Sequence, residues 1–366
     1  MKKFTLILFT VSVVILVFGS FVSDSDDTSK AKRPKNVIFL IGDGMGMTHL
    51  YAGMTANHGK LSIERTTHMG ASKTYSADNY ITDSAASGTA MASGVKTNNG
   101  VVGLDTSGAV VPTILEYAEQ NDFATGLVST SAITHATPAA FIYHVENRGM
   151  YEAIAADFLK TDIDVFIGGG ANHFMLRKDS INLVEQLKEN GYQVLFDMDQ
   201  IKKVKRGKLA GFAAADHCPP YLQGRGDMLP EATSTAIQIL KKNKNGFFLM
   251  VEGSQIDWGG HANNTDYVVS EVIDFDNAIK EALDFAEKDG NTLVVITADH
   301  ETGGMVLVGG DFKEGTVKAV YGTTSHSSVM VPVYAYGPGA EEFSGIYENT
   351  DLFEKIMEYY GFKKDK

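Results

Sequence analysis

A chain of 366 residues, 44% apolar and 21% charged, has globular composition and length for one large or two modest domains. Its net charge of −13, with no long basic run after the N-terminus, excludes nonspecific nucleic-acid binding through a basic face. An anionic substrate is not excluded, because bound cations invert the local field.

Residues 1–22 read as an export signal: Lys2 and Lys3 form a basic start, Phe4 to Phe18 is almost wholly apolar, and small residues follow at Gly19, Ser20 and Ser23. No A-x-A site fixes the cleavage point. The segment is short for a stable membrane anchor and leads into a polar linker over residues 23–34. The expected location is the periplasm, or release outside the cell. Residues 35–366 read as one domain.

That domain alternates strand and helix patterns. Short apolar runs at Asn36–Ile41, Ala124–Thr130, Ile163–Ile167, Tyr192–Phe196, Gly246–Val251, Thr292–Ala298 and Val331–Ala335 predict buried strands. Helical spacing covers Val111–Glu119, Met150–Leu159, Ile181–Lys188, Ala232–Lys242 and Tyr267–Lys288. The alternation predicts an α/β fold, with a largely parallel central sheet covered by helices on both faces. Asp199–Arg225 reads as loop-rich. Cys218 is the only cysteine, so no internal disulfide forms; it sits in the turn-like Asp216-His217-Cys218-Pro219-Pro220 and is taken as structural.

In such sheets ligands bind beyond the carboxyl ends of the strands. Polar residues follow these ends repeatedly: Asp43 after the first strand, His135 and Thr137 after the Ala124 strand, Glu252 after Val251, and Asp299-His300 after Ala298. Glu252-Gly253-Ser254-Gln255-Ile256-Asp257-Trp258-Gly259-Gly260-His261 puts Asp257 and His261 four apart, within reach of one ion, and Ser325-His326-Ser327 adds another imidazole. Histidine with carboxylate suits zinc, and an all-oxygen set suits magnesium. Taken alone, Ser84 in Asp83-Ser84 before Ala85-Ala86-Ser87-Gly88-Thr89-Ala90 reads as a helix N-cap. Beside a supply of metal ligands, Ser84 also reads as a nucleophile at a helix N-terminus, where an anion is favoured. His49, His58, His68, His144 and His173 stand in no ligand-like setting.

These motifs, with Gly42-Asp43-Gly44, Thr82–Thr97, Ala136-Thr137-Pro138-Ala139 and Asn147-Arg148, occur in an order that resembles the metal-dependent, serine-nucleophile alkaline phosphatases over essentially the whole mature chain. The resemblance implies hydrolysis of a broad range of phosphate monoesters at alkaline pH, through a two-zinc in-line mechanism with a phosphoserine at Ser84. It gives Arg148 the phosphate clamp, Asp257, His261 and His326 one zinc, and Asp299, His300 and Asp43 the second. Asp43, Thr137 and Glu252 would share a magnesium. It also implies a homodimer. His135 replaces an acid found in certain bacterial relatives and Trp258 replaces a basic residue; both are expected beside the ligands rather than among them. The chain is short for the family, so its peripheral insertions are expected to be short. A sulfatase would carry its own modified cysteine or serine motif, which is absent.

Overall fold

In the computed structural model, the described residues are 36–364, together with Met1. The expected export signal, Met1 apart, and the whole of the linker lie outside them. Among the described residues fourteen strands occur in chain order: β1 (Asn36–Gly42), β2 (His68–Lys73), β3 (Ala124–Ala132), β4 (Val165–Gly169), β5 (Gln193–Leu195), β6 (Leu209–Phe212), β7 (Phe247–Gly253), β8 (Thr292–Thr297), β9 (Glu301–Thr302), β10 (Met305–Asp311), β11 (Thr316–Tyr321), β12 (His326–Ser327), β13 (Val331–Tyr336) and β14 (Gly345–Glu348). Ten of them form one sheet in the order β14-β2-β13-β8-β1-β7-β3-β4-β6-β5. Only β13 runs against its neighbours; the pairings among β8, β1, β7, β3, β4, β6 and β5 are parallel.

The parallel centre follows from burial on both sides. In β1, Val37, Phe39 and Ile41 enter one core, while Ile38 and Leu40 enter the other. A side chain buried this fully contributes about 2 kcal/mol, so the strand's continuous apolar run is what two covered faces require. Helices Ser84–Ser93, Ile114–Gln120 and Thr350–Tyr360 pack on the first face. Helices Met47–Ala56, Met228–Leu240 and Thr265–Asp289 cover the second. The long helix Thr265–Asp289 starts where the Asn264 side chain accepts the Tyr267 N–H and stops at Gly290, whose φ of 65° is left-handed.

The loop-rich stretch Asp199–Arg225 also contains β6, which pairs in parallel with β4 and β5. Leu-Ala-Gly-Phe is too short to carry a periodic signal, and tertiary pairing decides its conformation. β2, with His, Gly, Ser and Lys among its residues, was unreadable for the same reason.

Candidate active site

The sheet brings the polar strand ends together. Asp43 directly follows β1, and its N–H donates to Gly253 O at the end of β7 (3.2 Å). Gly44 turns the chain with φ +74°; a Cβ there would lie 2.7 Å from both Asp257 Cα and Thr302 Oγ1, so no other residue fits. Glu252 is in register with Ser129 of β3 and Ile41 of β1. Asp257 and His261 share one turn of the helix Gln255–His261. His326 opens β12 opposite Thr302, and Thr137 lies in the helical turn Ala136–Ala139.

Three groups of ligand-type atoms result, each within 4.8 Å: Asp257, His261 and His326; Asp43, Asp299 and His300; and Asp43, His135 and Glu252. In the first, His261 Nε2 and His326 Nε2 lie 3.4 and 3.5 Å from Asp257 Oδ1. Both rings use Nδ1 toward backbone carbonyls, of Thr324 at 2.7 Å and Thr82 at 2.8 Å. Nδ1 donates in each ring, and the two Nε2 atoms face one another at 3.2 Å. In the second group, Thr302 Oγ1 donates to Asp257, so it accepts from His300 Nδ1. His300 Nε2 is thereby left unprotonated, 3.5 Å from Asp43 Oδ1 and 3.2 Å from Asp299 Oδ2.

Burial drives the electrostatics. It pushes the Asp43 carboxyl well above the usual range, and the charges of Asp299, Asp257 and Glu252 add to the rise. It raises Asp299 and Glu252 too. It holds His300 and His135 well below the ordinary imidazole value, with Arg148 adding to the effect at His135. Such a set is poised to lose protons to a cation.

The fit to cations can be tested on atoms left without partners. Asp43 Oδ1, Asp299 Oδ2, Glu252 Oε1, Thr137 Oγ1 and His135 Nδ1 are buried and make no hydrogen bond. An orphaned buried polar atom costs about 1–3 kcal/mol, and here several converge on one place. The second oxygens are satisfied: Asp299 Oδ1 accepts from Gly44 N and His300 N, both at 3.0 Å. Glu252 Oε2 accepts from Ser129 and Ser254 at 2.6 and 2.7 Å. Each carboxylate is thus oriented by one oxygen and presents the other inward, as a ligand does. The residues fit divalent metals.

Ser84 begins the helix Ser84–Ser93, with Asp83 as its N-cap accepting the Ala86 N–H. Its hydroxyl is buried, 3.4 Å from Asp43 Oδ2 and 3.3 Å from His300 Nε2. Arg148 reaches over this helix start: one guanidinium nitrogen donates to Asp83 Oδ2 at 2.8 Å and another lies 3.5 Å from His135 Nε2.

Every candidate site residue named from the sequence therefore lies in or beside these groups. His135 offers a ligand-type atom itself, closer in than the position beside the ligands expected for it. Trp258 offers none; its ring packs against His217 at 4.9 Å and His135 at 6.2 Å. Sequence reading missed Ser129, Ser254 and Thr302, the partners that orient the ligands, and the pairing of Asp83 with Arg148. Only Thr302 gave a signal, two residues after His300 on a short strand. His49 is a satisfied core histidine, bonded to Gly46 N and Thr302 O. Cys218 is buried, which pushes its thiol up to about 12.

The alkaline phosphatase family profile matches residues 34–321. Alkaline phosphatase 4 of Bacillus subtilis is 36% identical, over 93% of this chain and 93% of that protein. Alkaline phosphatase of Escherichia coli is 32% identical, over 92% of this chain and 88% of its own length. Among solved structures, the alkaline phosphatase of the Antarctic bacterium TAB5 is 43% identical with a TM-score of 0.85, covering 92% of this chain and all (100%) of that one. A histidine-to-aspartate mutant of it, with magnesium bound in its M3 site, superposes with a TM-score of 0.86 at 42% identity over the same shares of the two chains. This chain belongs to the alkaline phosphatase family and is a metal-dependent phosphomonoesterase.

Proposed function

We propose that Ser84 is the nucleophile, that Arg148 clamps the nonbridging phosphate oxygens, and that two zinc ions and one magnesium ion complete the site. Asp257, His261 and His326 would hold one zinc, and Asp43, Asp299 and His300 the other. Asp43, Thr137 and Glu252 would hold magnesium, with His135 at its edge. Mixed nitrogen and oxygen donors suit zinc, and oxygen donors suit magnesium. When bound, the paired zinc ions supply the positive charge that ionises a hydroxyl and stabilises attacking and leaving oxygens in line.

The chain's own residues do the rest. Ser84 Oγ loses its proton to solvent and bonds to phosphorus as the ester P–O bond breaks; the leaving alkoxide takes a proton from water. Water then cleaves the phosphoserine, releasing inorganic phosphate and restoring the hydroxyl. Asp83 fixes the Arg148 fork by a charge-assisted bond. The helix that starts at Ser84 turns its positive end toward the phosphate. Ligands must be deprotonated to bind metal, which supports an alkaline working range. Recognition centred on the phosphoryl group supports a broad range of monoesters.

The observation that carries this reading is the Ser84 hydroxyl at the meeting point of Asp43 and His300. A homodimer is supported by one exposed apolar strip: Phe312 packs on Tyr51, Met47 touches Tyr334, and Tyr334 pairs across the sheet with Met69. We read residues 35–366 as one catalytic domain and the protein as exported, with the periplasm its location. The test is release of an aryl alcohol from an aryl phosphate at alkaline pH. Metal-loaded protein turns over, while Ser84→Ala and chelator-stripped protein do not. Full turnover by Ser84→Ala, or preference for a diester, refutes the reading.

A further inference from the structure

Tryptophan occurs once in the chain, at Trp258. It directly follows Asp257 and stands three residues before His261 on the helix Gln255–His261, so it borders the first group of ligand-type atoms. Asp257 and Gly259 on either side of it are buried, whereas Trp258 is only half-buried. Two imidazoles meet its ring nearly at right angles, His217 with centroids 4.9 Å apart at 83° and His135 with centroids 6.2 Å apart at 84°. Its indole N–H has no acceptor among the described residues. An indole built into a core usually finds one, so Trp258 is not accounted for as a satisfied core residue.

The ring's main neighbour is itself fixed by backbone. The Ala132 N–H at the end of β3 donates to His217 Nδ1 at 3.0 Å, so that nitrogen is unprotonated and the imidazole is neutral. Asp216, one residue before, accepts the Gly170 N–H at 2.6 Å on its carbonyl and the Asn172 amide at 3.0 Å on its carboxylate. Gly169 permits this approach, since a Cβ there would stand 2.0 Å from Asp216 O. His217 therefore meets Trp258 from a pinned loop and adds no charge to that wall.

In-line displacement says where the substrate's alcohol goes. Ser84 Oγ lies against Asp43 and His300, in the second group. The leaving oxygen is opposite the attacking one, which puts it toward the first group, Asp257, His261 and His326, with Trp258 at its side. We propose that Trp258, steadied by His217 and His135, is the platform on which a flat ring in the substrate's alcohol stacks, so that aryl and nucleoside monophosphates are preferred within a broad range of monoesters. This deepens the catalytic reading above and rests on it. Stacking needs only a π-face, so the preference is for a flat ring and not for a particular base. It acts before the alcohol departs, because the phosphoserine left behind is the same whichever ester supplied it. The platform therefore changes kcat/KM from ester to ester and leaves hydrolysis of the phosphoserine alone.

The single tryptophan is its own reporter. Metal-loaded Ser84→Ala, which cannot form the phosphoserine, is titrated with adenosine 5′-monophosphate and with ribose 5-phosphate while Trp258 emission is followed. The two esters carry the same leaving hydroxyl and differ in the base. The nucleotide is expected to quench the emission, ribose 5-phosphate to leave it unchanged, and inorganic phosphate to reverse the quench by competition. In turnover, the ratio of kcat/KM for the nucleotide to that for ribose 5-phosphate is expected to be about tenfold lower in Trp258→Leu than in wild type, as loss of base–aromatic stacking implies. A substitution that only loosened the metals or the fold would slow both esters alike and keep the ratio. An unchanged ratio, no quench at nucleotide concentrations that saturate turnover, or an equal quench by ribose 5-phosphate overturns the proposal. Turnover of neither ester by the metal-loaded wild type would overturn the catalytic reading, and the platform with it.

Discussion

Arg225 is the perturbation that most sharply separates stability from chemistry. Its guanidinium is bonded to Glu271 and, at 2.8 Å, to Asp274, with all three side chains 1% exposed. It also donates to Pro219 O, and Glu271 accepts the Tyr221 N–H. The triad therefore ties the loop carrying His217 and Cys218 to the helix Thr265–Asp289, next to Trp258, whose ring packs on His217. Arg225→Met keeps the bulk and removes the charge, leaving two buried carboxylates unpaired. Breaking a buried pair in this way costs about 3–5 kcal/mol. A domain of this size unfolds with an entropy of about 0.7 kcal/mol/K, so Tm should fall by about 4–7 °C. The pH dependence has a definite sign. Burial already raises Asp274 to about 6, against the partial offset of Arg225. A carboxyl whose folded value lies above its unfolded one costs little when both are protonated, and its penalty grows as pH rises through the folded value. Without Arg225 that window moves upward. Calorimetry of metal-loaded protein should therefore find the deficit small at pH 5 and full at pH 8. A Tm within 1 °C of wild type, or a deficit larger at pH 5 than at pH 8, refutes the reasoning.

Thr302→Val removes the hydroxyl that donates to Asp257 and accepts from His300; zinc affinity, read by chelator competition, should fall about 10–100-fold, and unchanged affinity would contradict the orienting role. Ser129→Ala takes one of two short hydroxyl bonds from Glu252 Oε2; the magnesium concentration for half-maximal activity should rise about 10–100-fold, since a bond to a charged group is worth about 1.5–3 kcal/mol. Cys218, buried and pushed up to about 12, should not react with a thiol reagent at pH 9 until the protein is unfolded; rapid modification of the native enzyme would show that the loop opens.

The parts of the fold legible in the sequence were those fixed by local pattern. β1, β7 and β8 are buried on both faces, so each carries an unbroken apolar run that needs no partner to be recognised. The helix start at Ser84 was legible because the Asp83 cap acts on a neighbour three residues away. β2 and β6 were not, since pairing rather than composition makes them strands. The same division runs through the site. Ligand-type residues stand in short motifs, but Ser129 meets Glu252 only through the register of β3 with β7. Arg148 meets Asp83 across 65 residues. His135 was expected beside the ligands, and that it offers an atom to the Asp43–Glu252 group itself was not legible, because its place depends on where the turn after β3 ends.

The most direct measurement of the central claim is an acid quench of the metal-loaded enzyme during turnover of a ³²P-labelled monoester, followed by peptide mapping. Label should be found on Ser84, in the peptide containing Asp83-Ser84-Ala85, and should be absent from Ser84→Ala. Rapid turnover with no labelled protein, or with label on another residue, would contradict the account.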